Sequence, residues 1–209
     1  KDPSKQAVLL GTAFRLKLIG ALLVLIALAV AVKLSHQDSL TTLLIFIIAS
    51  ATVFQSFNII DFFFQAEVLS KYVVYANIIS LLISSFIKIG LILSNAPLVA
   101  FATVVLFDSI ILMLGFVYFF QRYSKLNIKA LTFKKEVALS LLKDSWPLIL
   151  SGAVLMIQAK IDQVMLKEMT GNMEVGYYSV ALKLIESFGF IPMMLKNSLI
   201  PAILNAKKH

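Results

Sequence analysis

Long uncharged blocks constrain the fold of this chain more than any other feature. Leu40 to Ile60 form 21 consecutive uncharged positions, and Ile89 to Phe107 form 19 more. A helix needs about 20 apolar residues to cross the hydrocarbon core of a bilayer. In the whole chain 60% of the residues are hydrophobic and 14% are charged, whereas soluble domains have about half and about a quarter. These blocks therefore predict an integral membrane protein.

The membrane spans are predicted to be helices. Backbone groups in lipid must be satisfied internally, which leaves helices and closed barrel strands as the alternatives. Barrel strands alternate apolar and polar residues over about ten positions, and residues 22–32 show no such alternation. The chain is therefore predicted to be all-α and polytopic. We expect about six transmembrane helices, at residues 18–32, 40–60 with an extension through Phe64, 72–93, 97–120, 146–165 and 175–203.

The distribution of Lys and Arg predicts the orientation of these spans. If the N-terminus is cytoplasmic, thirteen Lys and Arg residues fall in inner segments, and only Lys33 and Lys167 fall in outer ones. Such a bias is typical of cytoplasmic loops. Both chain ends are therefore predicted to be cytoplasmic, and the short polar turns at 35–39, 94–96 and 169–174 are predicted to face outward.

The longest connection, residues 121–145, is basic and predicted to be cytoplasmic. Within it Phe133, Val137, Leu141 and Leu142 fall on one helical face, which indicates an interfacial amphipathic helix. Trp146 and Pro147 are then expected to be an anchor and the first turn of the next span. This predicts four transmembrane helices in residues 1–120, a cytoplasmic linker in 121–145, and two further helices in 146–209.

Enzymatic and metal-binding signatures are missing from the sequence. There is no GxGxxG, GxxxxGK[ST], GxSxG or HExxH motif, and there is no cysteine. The two histidines, His36 and His209, lie in a predicted outer turn and at the chain end. The formal charge of +8 lies mainly in the predicted inner segments, so it does not indicate nucleic acid binding. We expect no catalytic site, metal or cofactor.

Ionisable residues inside the last two predicted spans are the candidates for function. Such residues are costly in lipid and normally face a bundle interior or an aqueous cavity. Lys160 and Asp162 are two apart on one helix, so they point to different sides. Lys183 and Glu186 are three apart and can pair. Cavity lining and structural ion pairing remain alternatives for both lysines.

Three further ionisable residues lie in the second to fourth predicted spans. Asp108 is near the middle of the fourth, where transport coupling and a structural role are both open. Lys88 is toward the outer end of the third, and its long stem is expected to bring it toward Asp108. Asp61 is near the inner end of the second span, where water is close, and is expected to be interfacial or structural.

Particular stretches of the chain resemble a known family. Residues 146–152 open a helix that continues through 160–166, and Gly171, residues 175–186, 191–192 and 199–203 follow. Residues 61–67 with Lys71 and Tyr72 add an earlier stretch. The pattern is similar to the polysaccharide biosynthesis proteins that flip O-antigen and capsule repeat units. That resemblance implies two six-helix halves around a cavity, with this chain, which starts at Lys1 and not Met, as a fragment holding the third to eighth helices.

The resemblance also implies a substrate and candidate sites. The substrate would be a polyprenyl diphosphate carrying an oligosaccharide, with Lys160 and Lys183 meeting the diphosphate. Asp108, Asp162 and Glu186 would be candidates for coupling to Na⁺ or H⁺. Membrane lipids, a polysaccharide polymerase and glycosyltransferases would be partners, and the location would be the bacterial inner membrane.

Three other functions are compatible with parts of this pattern. A multidrug cation antiporter of the same superfamily would favour an acidic cavity, but the predicted spans hold four Lys and four acidic residues. A membrane glycosyltransferase or polymerase usually needs a large outer loop, and the predicted outer turns are short. A non-transporting assembly subunit would fit a complete chain of this length.

Overall fold

Most of the described part of the chain is helical. A computed structural model describes residues 3–35, 38–124, 126 and 131–189. Within these ranges the elements, in order, are α1 (Pro3–Ser35), α2 (Ser39–Gln55), a 3₁₀ turn (Ser56–Asn58), α3 (Ile59–Ala66), α4 (Lys71–Leu93), α5 (Leu98–Tyr123), α6 (Lys135–Thr170) and α7 (Asn172–Phe188).

Five helical stretches of the described residues are long and apolar enough to cross a bilayer. They are Ser4–Ser35, Ser39–Ala66, Lys71–Leu93, Leu98–Tyr123 and Lys135–Thr170. Many large apolar side chains on these stretches are exposed, as contact with lipid requires. The predicted all-α, polytopic membrane fold is confirmed. The sixth predicted span begins within α7, and its remainder, with Pro192 and Lys196, lies outside the described residues.

The first helix is longer than the sequence pattern predicted. It begins at Pro3, where the hydropathy pattern predicted a start at Leu18. Its additional turns carry polar residues, and they are held by packing: Ala7 and Leu10 are buried in the core. Lys17, expected at the end of a span, lies within the helix with its ammonium 5.3 Å from the centroid of the Phe62 ring. Hydropathy alone could not reveal this burial.

The chain divides into two compact units, Lys1–Asp144 and Ser145–His209. In the first unit α5 packs against both α2 and α4, and α1 packs against α2. An aromatic cluster fills the end of this bundle where α3 ends and α4 begins. Phe63 and Phe64 are buried, and the Phe63 ring lies 5.1 Å from that of Phe120. Phe62, the residue before this buried pair, is exposed.

The turns that precede α4 and α5 share one geometry but differ in how well the sequence suits it. At the end of α3, the backbone N–H of Leu69 bonds to the carbonyl of Phe64 at 2.7 Å, and Val68 takes a φ of 59°. Asn95 takes the equivalent position after α4 with a φ of 49°. Asparagine tolerates this left-handed conformation, whereas a β-branched side chain is strained in it. The turn at Val68 therefore carries local strain.

The sixth helix begins earlier than the sequence pattern predicted. We expected a separate amphipathic helix that includes Phe133, followed by a new span that begins at Trp146. Instead α6 runs unbroken from Lys135 to Thr170 with Pro147 inside it, and Phe133 precedes its first turn. A proline inside a helix removes one hydrogen bond and crowds the carbonyl four residues earlier, yet α6 continues past Pro147. The sequence rule that places proline in a first helical turn therefore gave the wrong start for this helix.

Candidate functional site

In the first unit, a small polar cavity lies between α4 and α5. It has a volume of about 340 Å³ and is lined by Asn77, Ser80, Leu81, Ser84, Ser85, Lys88, Asp108 and Leu112. Its residues on α4 recur every three or four positions, so they form one stripe along that helix. A polar stripe inside a membrane-spanning helix is a candidate for function, because polar groups there need partners or water.

Ser80 is the hydrogen-bond partner of Asp108. The hydroxyl of Ser80 donates to the Asp108 carboxylate, and it also lies 3.1 Å from the Asp108 carbonyl oxygen. Ser80 is buried, with 3% of its surface exposed. Lys88 was expected to approach Asp108, and it lines the same cavity. The structure thus gives Asp108 a neutral partner next to a nearby cation.

Sequence reasoning had singled out Asp108 and Lys88 but not the serines. Ser80 and Ser84 are both buried at 3% exposure, and each is one turn from its neighbour in the stripe. The signal was present in the spacing of Asn77, Ser80 and Ser84 on an otherwise apolar helix. Serine is common on membrane helices, where it can bond its own backbone, so spacing alone did not distinguish it.

In the second unit, Asp162 of α6 meets Tyr178 of α7. The tyrosine hydroxyl donates to one carboxylate oxygen, and the backbone N–H of Gln163 donates to the other at 2.9 Å. The turn between the two helices contains Gly171, whose φ of 95° suits glycine. We had expected Asp162 to need a partner other than Lys160, and the structure supplies Tyr178, which sequence reasoning had not assigned that role.

Lys160 and Lys183, the two candidate substrate-binding lysines, are both exposed in this unit. Lys160 lies two residues before Asp162, so it points to another side of α6 than the carboxylate that meets Tyr178. That both lysines meet one diphosphate stays a prediction.

Glu186, one turn after Lys183 on α7, is also exposed. The backbone carbonyls of both residues accept hydrogen bonds. Ser187 Oγ donates to the carbonyl of Lys183 at 2.7 Å, and the N–H of Gly189 donates to the carbonyl of Glu186 at 3.0 Å. The ion pair between Lys183 and Glu186 stays a prediction. Across the described ranges, no three His, Asp or Glu side chains lie together as a metal site would require.

Together these features define a class: an all-helical, multi-pass membrane protein with ionisable side chains inside its helices. Residues 1–206 match the family described as polysaccharide biosynthesis protein. The chain belongs to that family, as its resemblance had indicated, and family membership links it to the export of polysaccharide or lipid-linked oligosaccharide. No curated protein and no solved structure matches the chain.

Proposed function

We propose that this chain is the middle part of a flippase that carries a polyprenyl-diphosphate-linked oligosaccharide across the bacterial inner membrane. The observation that carries the proposal is the family match over residues 1–206. The physical need is clear, because a sugar head group crossing hydrocarbon would lose the hydrogen bonds of every hydroxyl. A wet cavity that holds the head group, while the lipid tail stays in the bilayer, avoids that cost.

Lys160 and Lys183 are proposed to hold the diphosphate. Both are exposed on the neighbouring helices α6 and α7, and the hydrogen bonds that the Asp162 carboxylate accepts come from Tyr178 and the backbone of Gln163. A lysine ammonium binds phosphate as a point charge through charge-assisted hydrogen bonds. Rocking of two halves of the transporter then exposes the head group to either side of the membrane.

A cation gradient is proposed to drive the cycle, with Na⁺ or H⁺ as the coupling ion. Among Asp108, Asp162 and Glu186, Asp108 is the best candidate. It lines a polar cavity with serine and asparagine oxygens, the hard oxygen ligands that such cations prefer. Asp162 is more fully engaged by hydrogen bonds, which suits a structural role better.

The location and partners of the protein follow from this proposal. Both ends of this chain are placed in the cytoplasm, where the basic segments between the spans also lie. A polysaccharide polymerase would consume the flipped repeat unit, and glycosyltransferases would supply it. The protein itself makes and breaks no covalent bond in this account, so it is not an enzyme.

Depletion of the natural protein that contains this sequence tests the proposal. In depleted cells, the lipid-linked oligosaccharide should accumulate in the inner leaflet, where an impermeant periodate reagent added to spheroplasts cannot oxidise it. Rupture of the spheroplasts should then make it reactive. Accumulation of a precursor that is oxidised from outside intact spheroplasts would contradict a flippase and indicate a later step. Unchanged precursor with altered drug efflux would indicate the antiporter instead.

A further inference from the structure

A second cavity lies in the first unit, where the start of α1 meets the start of α6. It has a volume of about 570 Å³ and is lined by Ser4, Lys5, Val8, Leu9, Lys134 and Val137. It shares no lining residue with the cavity at Asp108. Two of these described lining residues are cations, three are aliphatic, and none is acidic. We call it the basic groove.

The walls of the basic groove are tied to each other. The backbone N–H of Lys134 donates to Thr12 Oγ1 at 3.1 Å, and Thr12 is completely buried. One residue earlier on α1, Gly11 lets the backbone of Thr132 approach so closely that an added Cβ would lie 2.5 Å from the Thr132 carbonyl oxygen. The guanidinium of Arg15 lies over the Phe133 ring, 5.7 Å from its centroid. The chain segments that carry Lys5 and Lys134 are therefore held against each other before any ligand binds.

The charge of the basic groove is uncompensated within the described residues. Lys5 and Lys134 are both exposed, and no carboxylate lines the cavity with them. Glu67 accepts a hydrogen bond from Gln6 at 2.8 Å, and Glu136, which precedes Val137, is exposed and does not line the cavity. Two neighbouring ammonium groups repel each other, so an anion that meets both relieves that repulsion.

The aliphatic side chains restrict the kind of anion. Val8, Leu9 and Val137 line the same cavity as the lysines, and a free inorganic anion would gain nothing from them. A phosphate attached to acyl chains uses both parts, because its head group meets the lysines and its first methylenes cover the aliphatic wall. The groove also lies on the side that the Lys and Arg distribution predicts to be cytoplasmic, where lysines between membrane helices attract anionic lipid head groups.

We propose that the basic groove binds the head group of an anionic phospholipid, of the phosphatidylglycerol type. Lys5 and Lys134 contact the phosphate, and Val8, Leu9 and Val137 contact the upper part of an acyl chain. A lipid in this position braces α1 against the segment that leads into α6. The site is independent of Lys160 and Lys183, so it holds whether or not the transported substrate is a lipid diphosphate.

Lipid binding to the purified full chain tests this site. The probe is dioleoylphosphatidylglycerol, compared with dioleoylphosphatidylcholine, in native mass spectrometry of detergent-solubilised protein. The double variant Lys5→Gln/Lys134→Gln should bind phosphatidylglycerol about tenfold more weakly than the parent, with phosphatidylcholine unaffected. The matched control is Arg122→Gln/Lys143→Gln, which removes two exposed cations that do not line the groove. It should change binding less than twofold.

A second variant keeps the test decisive if the lysine variant does not fold. Val137→Trp fills the groove without changing charge, and it should also weaken phosphatidylglycerol binding. Equal losses in the groove and control variants would overturn the proposal in favour of diffuse surface charge. Displacement of the lipid by inorganic phosphate at equal concentration would overturn it in favour of a free-anion site. Preferential binding of undecaprenyl diphosphate in the groove would overturn the assignment to phospholipid.

Discussion

The hydroxyl of Tyr178 donates a hydrogen bond to the carboxylate of Asp162 and so joins α6 to α7 across the turn at Gly171. This contact explains how α6 accommodates an aspartate among apolar residues. The nearest charged residue along the chain, Lys160, points to another side of the helix. Lys160 takes no part in this hydrogen bond. The proposed substrate site on α6 and α7 requires that the Lys160 ammonium can meet a ligand.

The contact between Tyr178 and Asp162 predicts coupling between two substitutions. Tyr178→Phe and Asp162→Ala should each lower the melting temperature of the purified protein, and the double variant should be hardly worse than Asp162→Ala alone, because both changes remove the same hydrogen bond. Tyr177→Phe is the matched control, since Tyr177 is 65% exposed. It should have little effect. Additive losses in the cycle would show that the two side chains do not interact.

The hydrogen bond from Ser80 to Asp108 predicts that replacing Ser80 lowers stability more than replacing another serine of the same bundle. Ser80→Ala should destabilise the protein by about 1 kcal/mol, because it removes a hydrogen-bond donor from the half-buried carboxylate of Asp108. Thermal unfolding in detergent measures this. Ser109→Ala is the control, since the Ser109 hydroxyl bonds only to the carbonyl of Val105, at 3.2 Å on its own helix. Equal effects of the two changes would contradict a special role for Ser80.

Two glycines on α1 make opposite predictions for the same substitution. Gly11→Ala places a methyl group against the backbone of Thr132, so it should destabilise the protein by about 1–3 kcal/mol, the usual effect of overpacking. Gly20→Ala meets nothing within 4 Å, and it should stabilise the helix by up to about 1 kcal/mol. The melting temperatures of the two variants, compared with that of the parent protein, measure both stability changes. A stable Gly11→Ala protein would show that the segment before α6 does not pack against α1 as described.

The sequence predicted the ends of the membrane helices well where an apolar run is bounded by charged or polar residues. The turns around α4 were predicted to within a few residues, since charged Lys71 and the polar turn at Asn95 bound an apolar run. The start of α1 was missed because Ala7, Leu10 and Thr12 are buried by tertiary packing and not by lipid. The path of α6 through Pro147 was missed because a proline inside a helix and one in a first turn have the same local sequence.

The candidate site was predictable in its charges but not in its partners. Asp108, Lys160, Asp162 and Lys183 stand out because ionisable side chains in a membrane helix are expensive. Their neutral partners give no such signal: Ser80 is one serine of several on α4, and Tyr178 follows another tyrosine on α7. Which of them bonds depends on the register between helices, and that register is set by turns and packing over the whole unit.

The predicted topology can be tested with single cysteines, because the chain contains none. Glu174→Cys should react with an impermeant thiol reagent in intact cells, since residues 169–174 are predicted to be an outer turn. Lys143→Cys should react only after the membrane is permeabilised. The thirteen-to-two distribution of Lys and Arg is the reason for this expectation. Labelling of Lys143→Cys in intact cells would reverse the assigned orientation.

The most direct test of the proposed function replaces Lys160 in the natural protein and measures polysaccharide on the cell surface. Lys160→Ala should abolish surface polysaccharide at normal membrane abundance of the protein, because the ammonium that meets the diphosphate is lost. Lys160→Arg should keep much of the export, since charge and reach remain, and Lys167→Ala on the same helix should leave it unchanged. Loss of the Lys160→Ala protein from the membrane would indicate a structural ion pair. Normal export by Lys160→Ala at normal abundance would contradict the proposed contact with substrate.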